Sequence, residues 1–292
     1  MQTLIGKLGL GAAQFGLDGA ARPRGRAPEA EVREILRLAD RAGAGVLDTG
    51  AASIHGEAVL GAVMPRPLAM RVTVKAPRGD RGVEHVNVET RASLARLGLS
   101  RADTLMVQSA GDLLAPYGDA FWRALKALRD EGLFDRVGIS AYASDDPVGL
   151  ARQFAPDVIQ APASLLDQRL LLDGSLAAVR DMGVEIHLRS IFLNGLLFLP
   201  PERARTRLGD AALSRLIRAR RLIAEGRSDP LQAALGFALS RPEADAVIVG
   251  VGTAAEFNAV LAAAANPPPD LDWDDMAMDD PSVFDHHQGV AA

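Results

Sequence analysis

Six polar side chains stand at the C-terminal ends of short apolar runs, and their types suit chemistry. They are Asp48 in "AGVLDT", Lys75 in "MRVTVKA", Gln108 in "DTLMVQS", Ser140 in "RVGISAY", Gln160 in "DVIQAP" and Arg189 in "VEIHLRS". A buried strand has little reason to end on a charge unless that charge meets water, a ligand or a partner. A carboxylate and an ammonium on consecutive run ends predict an Asp48–Lys75 ion pair. Burial can tune such a lysine toward acid–base work. The stretch "GVLDTGAASIHGEAVLG" poses the difficulty. It presents Asp48 as an active-site carboxylate is presented, then runs through small polar residues into a helix expected to begin at Glu57. Nothing in that loop is obviously suited to partner the acid.

The elements that must position these groups follow from periodicity. Eight short apolar runs alternate with amphipathic segments such as "PEAEVREILRLADRAGA", "NVETRASLARLGL" and "DAFWRALKALRDEGL". Apolar residues there recur every three or four positions, and Gly43 supplies a helix stop. Eight strands alternating with helices predict an α/β fold, a (β/α)8 TIM barrel. Its strand ends share one face, and that face carries the site. One domain is expected over residues 1–292, with 265–292 an irregular acidic C-terminal tail. "SIFLNGLLFLPPERARTRLGD" interrupts the alternation as a long loop, and long loops in compact domains are usually functional. A doubly wound sheet fits less well, because "GLGAAQFG" matches a phosphate-binding glycine loop poorly and no helical pattern follows it directly.

Composition narrows the function classes. The 292 residues carry a formal net charge of -5 and no cysteine. That argues against a nucleic-acid footprint and removes disulfides and thiolate chemistry. The N-terminal stretch reads as too short and too glycine-rich for a signal peptide, and no apolar run is long enough to span a membrane. A cytoplasmic protein without nucleic-acid or membrane partners is expected. "DHHQ" near the end shows no third ligand at a suitable spacing, so no metal site is expected.

Taken in order, "LGLGAAQFG", "LDTGAASIHGEAVLG", "VTVKAP", "DTLMVQSAGDLL", "RVGISAY", "VIQAPASLLDQRL", "HLRSIFLNGLL" and "AVIVGVGTAAEF" resemble an aldo-keto reductase of a bacterial branch, over most of the chain up to about Ala264. The resemblance implies a (β/α)8 barrel that moves a hydride between a nicotinamide cofactor and a carbonyl. It also implies a catalytic Asp, Tyr, Lys and His. The Asp falls on Asp48 and the Lys on Lys75. The Tyr position, five residues after the Asp, is Ser53, and the flanking Gly is Ile54. The later Glu is kept as Glu57. The His position is Gln108. A phenol is a poor proton donor until a nearby cation stabilises its phenolate, and a serine hydroxyl is less acidic and shorter. Gln108 still offers a hydrogen bond to a carbonyl oxygen. Tyr117, Tyr142 and His55 are the candidates to replace the acid, and the sequence does not rank them.

For the cofactor, the resemblance implies Ser140 and Gln160 at the nicotinamide amide, with Ala141 where an Asn is usual. Arg189, followed by Ser190, stands where an aromatic usually stacks. Gly250 and Glu256 replace the basic pair that holds a 2′-phosphate. NAD(H) is therefore favoured at least as much as NADP(H), since a carboxylate repels the phosphate and accepts from a ribose hydroxyl. Three readings follow. The first is an oxidoreductase acting on a small carbonyl or sugar-like compound, impaired or altered. The second is a catalytically silent barrel that binds a nucleotide or sugar. The third is a lyase or isomerase with Lys75 as base, for which no second acid is identifiable.

Overall fold

A computed structural model describes residues 2–15, 27–49, 54–268 and 271–284. Eight parallel strands close into a barrel in sequence order. They are β1 (Leu8–Gly11), β2 (Val46–Asp48), β3 (Arg71–Lys75), β4 (Ala102–Val107), β5 (Phe134–Ser140), β6 (Val158–Pro162), β7 (Glu185–Arg189) and β8 (Ala246–Gly250). The expected (β/α)8 barrel is therefore the observed fold.

The helices form for the reasons the periodicity gave. Helix Glu29–Ala42 buries Val32, Ile35, Leu36 and Ala39 on one face and ends at Gly43, which sits at φ 81°. Helix Gly118–Asp130 buries Phe121, Trp122, Leu125 and Leu128. Two features depart from the sequence reading. The helix after Asp48 begins at Ile54 rather than Glu57. The segment after β7 is partly helical, with a kinked turn at Leu193–Phe198 and short Pro201–Ala204, before a full helix at Asp210–Glu225. Its prolines and consecutive glycine-type turns mask that helical period.

Alternation along each strand sorts side chains between the helix-facing core and the barrel interior. Ile186 and Leu188 of β7 join the outer core, while Glu185 and Arg189 do not. Val46, Ala246 and Ile248 form a separate apolar cluster inside the barrel. The interior is tight there: a Cβ on Gly9 would lie 2.4 Å from Ile248 Cδ1. Below that cluster lies a charged floor. Glu185 accepts from both ends of Arg71 across the barrel, at 2.6 and 3.1 Å, and also from Arg136 and His187. Arg136 reaches on to Asp103. Burial raises the Glu185 carboxyl, but His187, Arg71 and Arg136 more than offset that and hold it well below the usual carboxylate range.

Residues 271–284 lie against the barrel. Trp273 packs edge-on to Phe237 at 5.5 Å, Gln168 Nε2 donates to the Trp273 carbonyl at 2.6 Å, and the Met278 N–H donates to Leu166 at 2.8 Å. Among the described residues no helix is long and apolar enough to cross a membrane.

Candidate active site

The C-terminal ends of β2, β3 and β6 bring three predicted residues together. Lys75 Nζ lies 2.8 Å from Asp48 Oδ2 and donates to Gln160 Oε1 at 2.9 Å. Gln160 Nε2 donates to the same Asp48 oxygen at 2.6 Å, closing a three-membered ring of hydrogen bonds. Met106 Sδ takes the remaining direction around Lys75 at 3.4 Å. All three polar residues are buried: Asp48 is 4% exposed, Lys75 6% and Gln160 3%. Burial pushes the Lys75 ammonium below its usual value, and Asp48 only partly restores it. Nearby Arg189 adds to the depression. A buried lysine with one carboxylate partner can hold charge or yield a proton.

The remaining predicted residues divide by place. Ser140, buried, pairs in register with Gln160 across β5 and β6. Gln108 lies one residue beyond β4 and is exposed. Ser53 lies outside the described residues, as do Asp285, His286, His287 and Gln288 of the tail. Glu57, kept from the motif, packs one helix on another: its carboxylate accepts from Ser93 and, at 2.7 Å, from Arg96. Gly61 serves the same contact, since a Cβ there would lie 2.1 Å from the Arg96 carbonyl oxygen.

The three alternative acids also separate. His55 is exposed at the start of its helix. Tyr117 donates its hydroxyl to Asp112 at 2.9 Å, and Arg78 holds the same carboxylate at 2.7 Å. Burial and then the Asp112 carboxylate raise the Tyr117 phenol above its usual value, which makes it a poorer donor. Tyr142 is half-buried, with the Arg189 guanidinium 4.2 Å from its ring centroid. Arg189 also donates to the Ala141 carbonyl and the Ser190 hydroxyl, each at 3.2 Å. Burial lowers the Arg189 guanidinium, and its Nε is a buried donor with no hydrogen-bond partner among the described residues.

Beside this cluster opens a cavity of about 810 Å³, walled by the ends of β7, β8 and β1 and by the loop after β7. Arg189, Ser190, Gly250 and Glu256 line it, as do Gln14 and Asn194, which sequence reasoning did not single out. Ser140, Gln160 and Lys75 are not among its lining residues. The size falls within the range of small-molecule and cofactor sites. Among the described residues, Arg189 is the one lysine or arginine on its wall. Gly250 keeps the wall open beside Gln14, because a Cβ there would stand 3.2 Å from Gln14 Nε2. Ser190, Leu193 and Asn194 all have positive φ on the rim, at 60°, 46° and 52°. Such backbone persists where the surroundings enforce it and clusters at binding sites. The Asn194-Gly195 dipeptide was the readable signal for that turn. Glu256 caps the next helix: it accepts from Gly252 N–H at 2.6 Å, and its own N–H donates to Thr253 Oγ1 at 3.1 Å.

Comparison with known proteins adds ancestry. The model of the "Aldo/keto reductase family" matches residues 7–278. A Mycolicibacterium smegmatis aldo-keto reductase is 28% identical over 126 residues, covering 42% of this chain and 44% of the relative. One from Mycolicibacterium vanbaalenii is 32% identical over 143 residues, covering 47% and 50%. The matched segments thus span about half of each curated relative, 44% and 50% of their lengths. The holo form of an aldo-keto reductase from Bacillus halodurans superposes with a TM-score of 0.72 at 19% identity, over 90% of this chain and 88% of that one. At that identity the likeness speaks to fold alone.

Proposed function

Since the chain belongs to the aldo/keto reductase family, we propose that it is a nicotinamide-dependent oxidoreductase interconverting a small carbonyl or sugar-like compound and its alcohol, with altered proton delivery. One observation carries this reading: the buried Asp48–Lys75–Gln160 ring beside a cavity of about 810 Å³. The donor set suits a dinucleotide. Arg189, whose buried Nε has no partner among the described residues, together with Ser190, Gln14 and Glu256, would hold it, and Gly250 leaves room for its approach. When bound, the reduced nicotinamide supplies hydride. Asp48 pairs with Lys75 and favours its charged form against burial. Gln108, exposed just beyond β4, donates to the substrate oxygen. A cytoplasmic setting with no membrane or nucleic-acid partner accompanies this reading.

A second reading, a barrel that binds a nucleotide without turnover, is favoured by one fact. The three contacts of Lys75, to Asp48, Gln160 and Met106, match its three protons.

NADPH is expected to bind no tighter than NADH, because among the described residues the cavity wall offers Glu256 and no basic residue besides Arg189. A lost charge-assisted phosphate contact costs about 1.5–3 kcal/mol, roughly tenfold to a hundredfold in affinity. Fluorescence titration with both cofactors, followed by turnover of aldehydes and ketones, tests this. A clear preference for NADPH overturns the cofactor assignment. Binding without turnover selects the second reading.

A further inference from the structure

The unsolved element of the site is the proton donor, and the barrel's alternation locates one. On β5, Gly138 faces the interior, since a Cβ there would stand 3.0 Å from Met106 Cε, and Met106 contacts Lys75. Ser140 has the same parity. The backbone stays extended past the strand: Ala141 N–H pairs with the Gln160 carbonyl at 2.9 Å, and Tyr142 has φ -97° and ψ 171°. Ala141 faces the outer core, so Tyr142 returns to the axis side. On β7, Arg189 has the inward parity and pairs in register with Pro162, two residues above Gln160. Tyr142 and Arg189 therefore share one layer on either side of β6, about 6.6 Å above the Gln160 level, and their 4.2 Å stacking confirms the juxtaposition. Beneath that layer lies the Asp48–Lys75–Gln160 ring, and beside it the cavity that Arg189 lines. Tyr142 thus stands in the layer next above the ring, stacked on the arginine that lines the cavity. Tyr117 is fastened to Asp112, and His55 stands exposed at the start of its helix.

We propose that Tyr142 is the catalytic proton donor of this barrel, relocated from the loop after β2 to the end of β5 and held by Arg189. This rests on the oxidoreductase reading above. Hydride from a reduced nicotinamide dinucleotide adds to the carbonyl carbon, and the C=O π pair becomes an alkoxide lone pair. The Tyr142 Oη–H bond breaks, its proton forms the alcohol O–H, and the phenolate left beside Arg189 is reprotonated from solvent at the half-exposed mouth. The nicotinamide leaves oxidised.

The experiment uses the whole chain and two substitutions, Tyr142→Phe and Tyr117→Phe, which affect the only two tyrosines. Tyr142→Phe keeps the ring against Arg189 but removes the hydroxyl that Arg189 holds, so the solvent isotope effect and the nitration footprint, which a merely structural role would not move, accompany the turnover measurement. The expected result is a fall in kcat of about 10²–10⁴-fold, with KM and the NADH titration unchanged and the solvent isotope effect on kcat lost. Tyr117→Phe matches the natural protein. Nitration mapped by mass spectrometry is expected to show Tyr142, and not Tyr117, protected by bound NADH with a carbonyl analogue. Undiminished turnover in Tyr142→Phe overturns the proposal. So does a natural protein that binds NADH, reduces no carbonyl and leaves Tyr142 unprotected. A natural protein that binds neither NADH nor NADPH overturns the oxidoreductase reading itself, and that failure is distinct from the other two.

Discussion

Ser53 and Lys75 frame the residue-scale question, because the proposed site keeps a lysine and its carboxylate while the motif spacing leads us to expect Ser53 at the phenol position. Gln160 completes the ring around Lys75 in this structure. Placing a phenol five residues after Asp48 must therefore compete with that amide. Ser53→Tyr, alone and with Gln108→His, is expected to raise kcat for simple aldehydes about tenfold or more. The full worth of a general acid is about 10²–10⁴-fold, and breaking the Lys75–Gln160 bond draws the gain toward the lower end. Steady-state kinetics on the three proteins checks it. Unchanged rates in both variants mean that the frame no longer accepts the phenol. The residue types Asp48 and Lys75 were legible in the sequence because a strand that ends on a charge is rare. The involvement of Met106 was not, because an apolar side chain inside a strand carries no sign of which cation it touches.

Helix Ile54–Val63 shows what a motif glutamate does for packing. Glu57 and Gly61 pack against helix Val83–Leu97. Glu57 binds Ser93 and Arg96, and Gly61 lets the backbones approach. Gly61→Ala is expected to cost about 1–3 kcal/mol of stability by overpacking, since its Cβ would lie 2.1 Å from a backbone oxygen that cannot swing away. Urea denaturation would show a lower midpoint with an unchanged slope, and an unchanged midpoint contradicts the packing account. The loop after β7 makes the complementary point. Its irregular sequence hid the helical turns, and its left-handed residues at 190, 193 and 194 shape the cavity rim.

Across the whole molecule, a polar floor and a polar mouth bracket a small apolar cluster inside the barrel. The floor makes stability depend on acid. Because Glu185 is held below its ordinary value, near 4.3 in the unfolded chain, the stability it contributes is complete above that value. It drains as pH falls through that value toward the depressed folded one. Melting temperatures should therefore drop between about pH 5 and pH 3. In Glu185→Gln the protein should be less stable at neutral pH and show a flatter acid limb. An acid limb of unchanged steepness in Glu185→Gln would assign the acid sensitivity elsewhere.

The sequence by itself pointed to the barrel and its polar strand ends, because short apolar runs and 3.6-period helical patterns are local and each element carries its own. The resemblance also led us to expect Ser53 and Gln108 at the usual phenol and imidazole positions, a reading that rests on residue identity and motif spacing alone. Tertiary structure decided what local pattern cannot contain. Barrel closure joined Arg71 to Glu185 across the axis, turned Gln160 inward onto Lys75, and fastened Tyr117 to Asp112 while placing Tyr142 against Arg189. These contacts join residues from separate strands and loops, so their pairing depends on register, strand parity and closure. No single segment encodes those quantities.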